Sequence, residues 1–218
     1  MCSAAAYSAA IGRPKGNDPG KSRRILDAAV TEFLNEGYDR TSVDLIAERA
    51  GVAKQTVYNH FGDKTSLFLA AVEAERGRTA TEFENSAAAL VPVAPGADTR
   101  SALLAIGRRA LAVLLDERAS ALRRLVISEV ARYPGLQPAC SAGEPAQLVR
   151  FIADELRRRT DRGELDVPDP ATGARQFVAL LVQQGLHESM YGTIALTDAR
   201  IDSLCAETVE LFLRAYRI

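Results

Sequence analysis

The sequence has little of several residue types on which specialised protein classes depend. Its 218 residues include no tryptophan, aromatic residues make up only 6%, and there are three cysteines. Cys2, Cys140 and Cys205 lie far apart, without Cys-x-x-Cys spacing or a nearby histidine. This pattern argues against a disulfide framework or a zinc site and fits a reducing cytoplasm. A redox switch at Cys140 or Cys205 stays an alternative, although a buried and inert thiol is commoner.

Long apolar runs and a strong excess of one charge are also missing. No stretch of about 18 uncharged apolar residues occurs, so we expect no transmembrane span. The N-terminus has no basic start followed by an apolar segment, which argues against a secretory signal. The formal net charge is −1. Any contact with DNA must therefore come from local basic clusters, because the protein has no overall basic field.

The residues that are abundant predict an all-α fold. Alanine, leucine, arginine and glutamate favour helices over sheets, and no strand-like alternation or fixed-period repeat is seen. The sequence divides into a flexible basic arm at residues 1–20, a helix-turn-helix DNA-binding domain at 21–66 and a helical body at 67–218. We expect that body to bind a ligand and to mediate dimerisation.

Four helices are predicted near the N-terminus. The first covers Ser22–Glu36 and ends at a glycine suited to a left-handed conformation, Gly37. Thr41 or Ser42 can cap the second helix, which ends at Gly51. The third runs from Lys54 to His60, and Asp63 is the predicted N-cap of the fourth. Two short helices joined by a tight turn and flanked by longer ones form a helix-turn-helix unit. Further helices are expected at Thr99–Leu115, Ser120–Tyr133, Glu144–Arg162, Pro170–Met190 and Asp198–Tyr216.

The third helix carries side chains suited to contact with DNA. Val57 and Phe61 can anchor it from the inside. Amides can pair with adenine edges, a threonine methyl can touch thymine, and hydroxyl, imidazole and ammonium groups suit phosphate oxygens. The same residues could also belong to an ordinary solvated helical hairpin. The outward candidates, with the first residue of the fourth helix, are Lys54, Gln55, Thr56, Tyr58, Asn59, His60 and Lys64.

The stretch from about Arg24 to Val72 resembles the N-terminal domain of TetR-type transcriptional regulators. The resemblance implies that the third helix reads the major groove and that Tyr58 and Lys64 clamp the DNA backbone. It also implies that Thr41 caps the second helix and touches phosphate. The basic "GRPK" segment, with Arg13 and Lys15, is similar to arms that enter the minor groove. The residues that carry the resemblance are Phe33, Gly37, Thr41, Ile46, Ala47, Ala50, Gly51, Val52, Thr56, Tyr58, His60, Phe61, Lys64 and Leu67.

The C-terminal half is loosely similar to the AefR-like branch of that family, which implies a homodimer formed by the last two helices. Apolar sides that could form this interface, or pack inside one subunit, are carried by Phe177, Leu180, Leu181, Leu186, Ile201, Leu204, Val209, Phe212 and Leu213. An effector pocket is expected between the helices of this half. Residues of these types are more often plain core or surface than pocket lining, and the candidates are Leu104, Leu111, Leu125, Ile127, Tyr133, Phe151, Phe177, Leu181, Gln184 and His187.

These observations predict a homodimeric, cytoplasmic transcription factor that binds a palindromic operator in double-stranded DNA. A repressor released by a small-molecule effector is the form we expect. One rival is a helical interaction protein whose helix-turn-helix no longer reads DNA. An enzyme is the weakest rival, because the sequence shows no phosphate-binding glycine loop, no metal-spaced cluster and no activated nucleophile. We therefore expect no catalytic residue, metal or cofactor.

Overall fold

The computed structural model describes residues 19–90, 98–141 and 146–217. Within these residues the chain forms α-helices and one short 3-10 turn, and no strand, which confirms the all-α prediction. The 3-10 turn is Pro134–Leu136. The helices are α1 Pro19–Arg40, α2 Val43–Ala50, α3 Lys54–Phe61, α4 Lys64–Leu90, α5 Thr99–Leu114, α6 Glu117–Glu129, α7 Gln137–Ser141, α8 Ala146–Asp161, α9 Pro170–Glu188 and α10 Asp198–Tyr216.

The helices group into two compact units that do not coincide with the segments predicted from the sequence. Among the described residues, the first unit contains 19–77 and 121–141, and the second contains 78–90, 98–120 and 146–217. The first unit, which we call the head, therefore takes residues from the middle of the chain as well as its N-terminal part. Helices α4 and α6 each contribute residues to both units.

Local signals explain where the head helices begin and end. Gly37 interrupts α1 with a φ of 79°, and Gly51 ends α2 in a left-handed conformation with a φ of 65°. Both glycines adopt backbone angles that cost other residues more. The predicted stop at Gly51 is confirmed, whereas Gly37 is a kink within α1, which continues to Arg40. At the start of α4 the Asp63 carboxylate accepts a hydrogen bond from the Ser66 N–H at 2.7 Å, as an N-cap does.

The head closes around an aromatic core. The Phe33 ring lies 4.8 Å from Phe68 and 5.9 Å from Tyr38, and all three side chains are buried. Leu136, from the turn after α6, is fully buried in this same core. A helix ending near Tyr133 was predicted, but α6 ends at Glu129 and the following residues form a turn that packs against the head core.

The second unit buries most of the apolar residues that we had predicted at the dimer interface. Phe177 and Phe212 meet edge to face with their ring centres 5.4 Å apart, inside the core of one subunit. Their apolar sides are therefore interior, because α9 and α10 pack against each other and against α5 and α8. The other residues of the predicted set that are buried in this core are Leu181, Leu186, Leu204 and Val209.

Small residues allow close helix packing within this unit. A Cβ added to Gly185 would lie 2.6 Å from a methyl carbon of Leu111, and one added to Gly107 would lie 3.3 Å from the Cys205 sulfur. The lack of a side chain at Gly185 therefore lets α9 approach α5, and Ala174 on the same helix is fully buried.

The described part of the chain contains neither a membrane-spanning helix nor a cluster of metal-binding side chains. None of its helices is both long enough and apolar enough to cross a lipid bilayer. Among the same residues, no group of three or more histidine, cysteine, aspartate or glutamate side chains is arranged to hold a metal ion.

Candidate nucleic-acid interface

Helices α2 and α3 are joined by a short turn that fixes the direction of α3. The Gly51 N–H bonds back to the carbonyl of Glu48, and the Val52 N–H bonds to that of Ala47. Val57 then anchors α3 from beneath, with only 1% of its surface exposed. The turn and this anchor together leave the opposite side of α3 to solvent.

Two of the predicted base-reading side chains are already paired with each other. The Gln55 amide nitrogen donates to the Asn59 side-chain oxygen at 2.9 Å, and both residues are exposed one helical turn apart. The pair leaves the Gln55 oxygen as an acceptor and the Asn59 nitrogen as a donor. This combination complements the N6 donor and N7 acceptor of adenine in the major groove.

The remaining candidates on α3 differ in how freely they can reach a ligand. Tyr58 is 37% exposed, whereas Thr56 is only partly exposed. The Lys54 ammonium donates to the Asp44 carboxylate at 2.9 Å, and this hydrogen bond, followed by the charge of Asp44, raises the pKa of Lys54. Because Asp44 offsets its charge, Lys54 is a weaker phosphate ligand than the sequence alone indicated.

His60 is held by its own helix. Its Nδ1 lies 2.8 Å from the Thr56 carbonyl oxygen, which can only accept, so Nδ1 carries the proton in the neutral ring. Nε2 is buried and makes no hydrogen bond to the described residues. A neutral His60 in this position has no proton on Nε2 to donate to a phosphate. Because Nε2 is buried, the predicted phosphate contact requires a change of rotamer.

Lys64 is the best positioned of the candidate phosphate ligands. Its ammonium donates to the Asp39 carbonyl at 2.8 Å and lies 4.8 Å from the centre of the Tyr38 ring. Burial, the largest effect, lowers the pKa of Lys64, while the charges of Asp39 and Glu129 oppose this shift. Since an ammonium has three protons, two remain available for an anion.

The structure changes the role predicted for Thr41. The side chain that caps α2 belongs to Ser42, which accepts a hydrogen bond from the Leu45 N–H at 3.2 Å. Thr41 is only 2% exposed, and its hydroxyl group donates towards the carbonyls of Gly37 at 2.7 Å and Glu32 at 3.1 Å. Its side chain therefore fastens α1 to the following turn and is not accessible to phosphate. The proposed minor-groove residues Arg13 and Lys15 lie outside the described residues.

Sequence reasoning missed a cluster beside Lys64. The Asp39 carboxylate accepts a hydrogen bond from the Tyr133 hydroxyl at 2.6 Å and pairs with the Arg132 guanidinium at 3.3 Å. The hydrogen bond from Tyr133, followed by the charge of Arg132, lowers the pKa of Asp39. Nothing in the local spacing of these residues could have revealed the cluster, because it joins distant parts of the chain.

The predicted effector-pocket residues do not form one cluster within either unit. Leu125 and Tyr133 pack against the head core, whereas Gln184 and His187 are exposed on α9. Ile127 is 47% exposed. The other candidates belong to the core of the second unit, where Leu111, Phe177 and Leu181 are fully buried and Leu104 and Phe151 are partly buried.

The one cysteine side chain that the structure describes has no sign of reactivity. Cys205 is completely buried in the core of the second unit, next to Gly107. Burial raises the pKa of its thiol to about 11, which disfavours the reactive thiolate. Cys2 and the side chain of Cys140 lie outside the described part of the chain.

Comparison with known proteins identifies the family. Residues 25–71 match the model of the bacterial regulatory proteins of the tetR family, and residues 101–218 match the AefR-like transcriptional repressor C-terminal domain. The HTH-type transcriptional activator FasR of Mycolicibacterium smegmatis is 42% identical over 65 residues, which cover 28% of this chain and 30% of FasR.

Solved structures extend the similarity to most of the chain. A TetR-family transcriptional regulator from Mesorhizobium loti is 32% identical, with a TM-score of 0.78, and the match covers 93% of this chain and all of that one. The Flavonoid-responsive Regulator FrrA is 28% identical with a TM-score of 0.64 over 90% of this chain and 97% of its own. The chain therefore belongs to the TetR family of helix-turn-helix transcriptional regulators and carries an AefR-like C-terminal domain.

Proposed function

We propose that the protein is a homodimeric repressor that binds a palindromic operator and is released from it by a small-molecule effector. The observation that carries the DNA-reading part is the geometry of α3. It follows a tight turn, is anchored by Val57, and presents the Gln55–Asn59 pair to solvent. Phosphate contacts at Tyr58 and Lys64 would set the register of this helix in the groove.

The test of this function is selection of bound duplexes from random-sequence DNA by the purified protein. We expect an inverted repeat, with an A·T pair in each half-site opposite the amide pair of α3. Replacing Gln55 with alanine should change the base preferred at that position, since a good bidentate contact discriminates by about 1–3 kcal/mol.

Tyr58→Ala is the matched control for that selection. It should weaken binding without changing the preferred sequence, because phosphate contacts carry no direct base information. If the protein selects no sequence, or if Gln55→Ala and the wild-type protein select the same one, α3 does not read bases as proposed.

The dimer is proposed to form through the outer faces of α9 and α10. The inner faces of these helices are buried within one subunit. On α10 the apolar surface that stays available for a second subunit is centred on Leu211, which is 54% exposed. A protein that binds two half-sites on DNA needs two-fold symmetry, so each interface residue contributes once from each subunit.

Leu211→Glu should shift the protein from dimer towards monomer. Because the change places a charge in both halves of a symmetric interface, we expect at least a tenfold weaker dimer, or about 1.4 kcal/mol. Light scattering after size exclusion measures the effect. Ile127→Glu is the control, because Ile127 is 47% exposed but lies in the head. Equal masses for both variants, or a monomeric wild type, would exclude this interface.

Repression and effector response rest on the family. The matched C-terminal model describes a repressor, whereas FasR is an activator, so the sign of regulation needs a reporter gene that carries the selected operator. Repression predicts that expression falls when the protein is supplied. FrrA is described as flavonoid-responsive, which makes flavonoids the first compounds to titrate against the protein–DNA complex. An effector would release DNA to the extent that it prefers the non-binding conformation.

A further inference from the structure

A carboxylate lies beside the proposed phosphate site of the head. The backbone carbonyl of Asp39 accepts a hydrogen bond from the Lys64 ammonium at 2.8 Å. The charge of the Asp39 carboxylate acts to raise the pKa of Lys64. The Asp39 side chain is 52% exposed. An uncompensated negative charge at this position would repel the phosphate that Lys64 is proposed to bind, because two like charges close together raise the energy of the complex.

Two residues from the turn after α6 contact this carboxylate, one by an ion pair and one by a hydrogen bond. The Arg132 guanidinium lies 3.3 Å from one carboxylate oxygen, and the Tyr133 hydroxyl donates to the other at 2.6 Å. Arg132 also lies over the Tyr133 ring, 5.4 Å from its centre. The Arg132 guanidinium is thus positioned by two contacts, one with the Asp39 carboxylate and one with the Tyr133 ring.

The backbone that carries these residues is fixed to the head. Leu136 is fully buried in the head core, and a Cβ added to Gly135 would lie 3.3 Å from the Thr65 methyl group. The Tyr133 ring packs 4.8 Å from Tyr38, the same ring that faces the Lys64 ammonium. The turn is therefore positioned by packing, independently of the charges that it brings to Asp39.

We propose that Arg132 and Tyr133 complete the DNA-backbone site, although they lie outside the helix-turn-helix sequence. Arg132 offsets the charge of Asp39, and Tyr133 supports the pair by donating a hydrogen bond to the same carboxylate. This inference rests on the proposed function, in which Lys64 binds phosphate. Arg132 acts here as a positioning and neutralising residue, and its contact is with Asp39. The site then presents the charge of Lys64 to the DNA with the charge of Asp39 offset.

A double-mutant cycle on the selected duplex tests the proposal. Arg132→Gln exposes the Asp39 charge in both subunits and should weaken binding about fivefold at low salt. Asp39→Asn removes the carboxylate and should bind at least as tightly as the wild-type protein. In the double variant, Asp39→Asn should abolish the loss caused by Arg132→Gln. Fluorescence anisotropy over a range of salt concentrations gives these affinities, and thermal melting of each variant reports its folding.

The cycle separates neutralisation from the other roles that Arg132 could have. A purely structural Arg132–Asp39 bridge would leave the double variant as weak as Arg132→Gln, because both lack the bridge. A direct contact between Arg132 and phosphate would also make the loss persist in the Asp39→Asn background. Either result, or unchanged binding by Arg132→Gln, would overturn the proposal. Tyr133→Phe, which removes the second donor to Asp39, should weaken binding in the same direction but less.

Binding of Lys64→Ala to the same duplex distinguishes a failure of the proposed phosphate site from a failure of the proposed neutralisation of Asp39. If Lys64→Ala leaves binding unchanged, the phosphate site of the proposed function is wrong. If Lys64→Ala weakens binding while Arg132→Gln does not, only the neutralisation of Asp39 is wrong.

Discussion

Replacing Arg159 with alanine should lower the free energy of unfolding of the second unit by about 3–5 kcal/mol, because the change leaves a buried carboxylate without its main partner. Arg159 is 1% exposed and Glu155 is 4% exposed, and the guanidinium donates to the Glu155 carboxylate at 2.8 Å. A second carboxylate, that of Glu164, accepts from the same guanidinium at 2.6 Å. The Thr99 hydroxyl donates to Glu164 at 2.6 Å.

The pH dependence of this cluster follows from Glu155. Burial alone would raise the pKa of Glu155, but hydrogen bonds from Arg159 and Arg158 outweigh it and lower that pKa. The stabilisation is therefore complete above the unfolded-state pKa of about 4.3 and is lost as the pH falls through the folded-state value. The difference between the wild-type protein and Arg159→Ala should shrink over that same acidic range, as Glu155 takes up a proton.

Urea unfolding at a fixed protein concentration measures the effect, with both units monitored because they need not unfold together. Arg158→Ala is the matched control: it removes the neighbouring arginine, whose side chain is 47% exposed, and should cost less than about 1 kcal/mol. Arg159→Met combined with Glu155→Leu should recover much of the loss. A loss below about 1 kcal/mol for Arg159→Ala would show that Arg158, which also donates to Glu155, is enough to pair the buried carboxylate.

The sequence predicted the helices well where a local signal marks their ends. α10 has the predicted bounds, and α9 begins at Pro170 after the Asp169 carboxylate, which accepts from the N–H groups of Ala171 and Thr172. Helix α7 was not predicted, because the prolines and glycine of its neighbourhood indicated only a break. Caps and stops are read from adjacent residues, so they can be found without tertiary information.

Features set by distant contacts could not be found in the same way. From its composition alone, the run Arg157–Arg159 indicates three solvent-exposed charges. In the structure Arg159 is buried, because it lies on the same face of α8 as Ile152 and Leu156. That spacing was a usable signal for its burial. The pairing of Asp39 with Arg132 and Tyr133 had no such signal, because it depends on how the turn after α6 folds onto the head. The apolar periodicity of α9 and α10 likewise shows an inner face without showing which neighbour covers it.

Replacing Lys64 with alanine should weaken binding to the selected duplex by at least about 100-fold, and to the same extent for every operator variant. The ammonium is held 2.8 Å from the Asp39 carbonyl and over the Tyr38 ring, so little ordering is needed when a phosphate binds. A hydrogen bond to a charged group is worth about 1.5–3 kcal/mol, and the dimer would lose one in each half.

The salt dependence gives this prediction its specific signature. Each lost phosphate contact should reduce the slope of log affinity against log salt by about 0.9, so the dimeric variant should lose about 2. Arg108→Ala is the control, since it removes the same charge from an exposed site in the second unit, where Arg108 pairs with Asp202 at 2.5 Å. Lys64→Arg should retain most of the affinity. A loss confined to one operator sequence, or an unchanged slope for Lys64→Ala, would mean that Lys64 does not bind the DNA backbone.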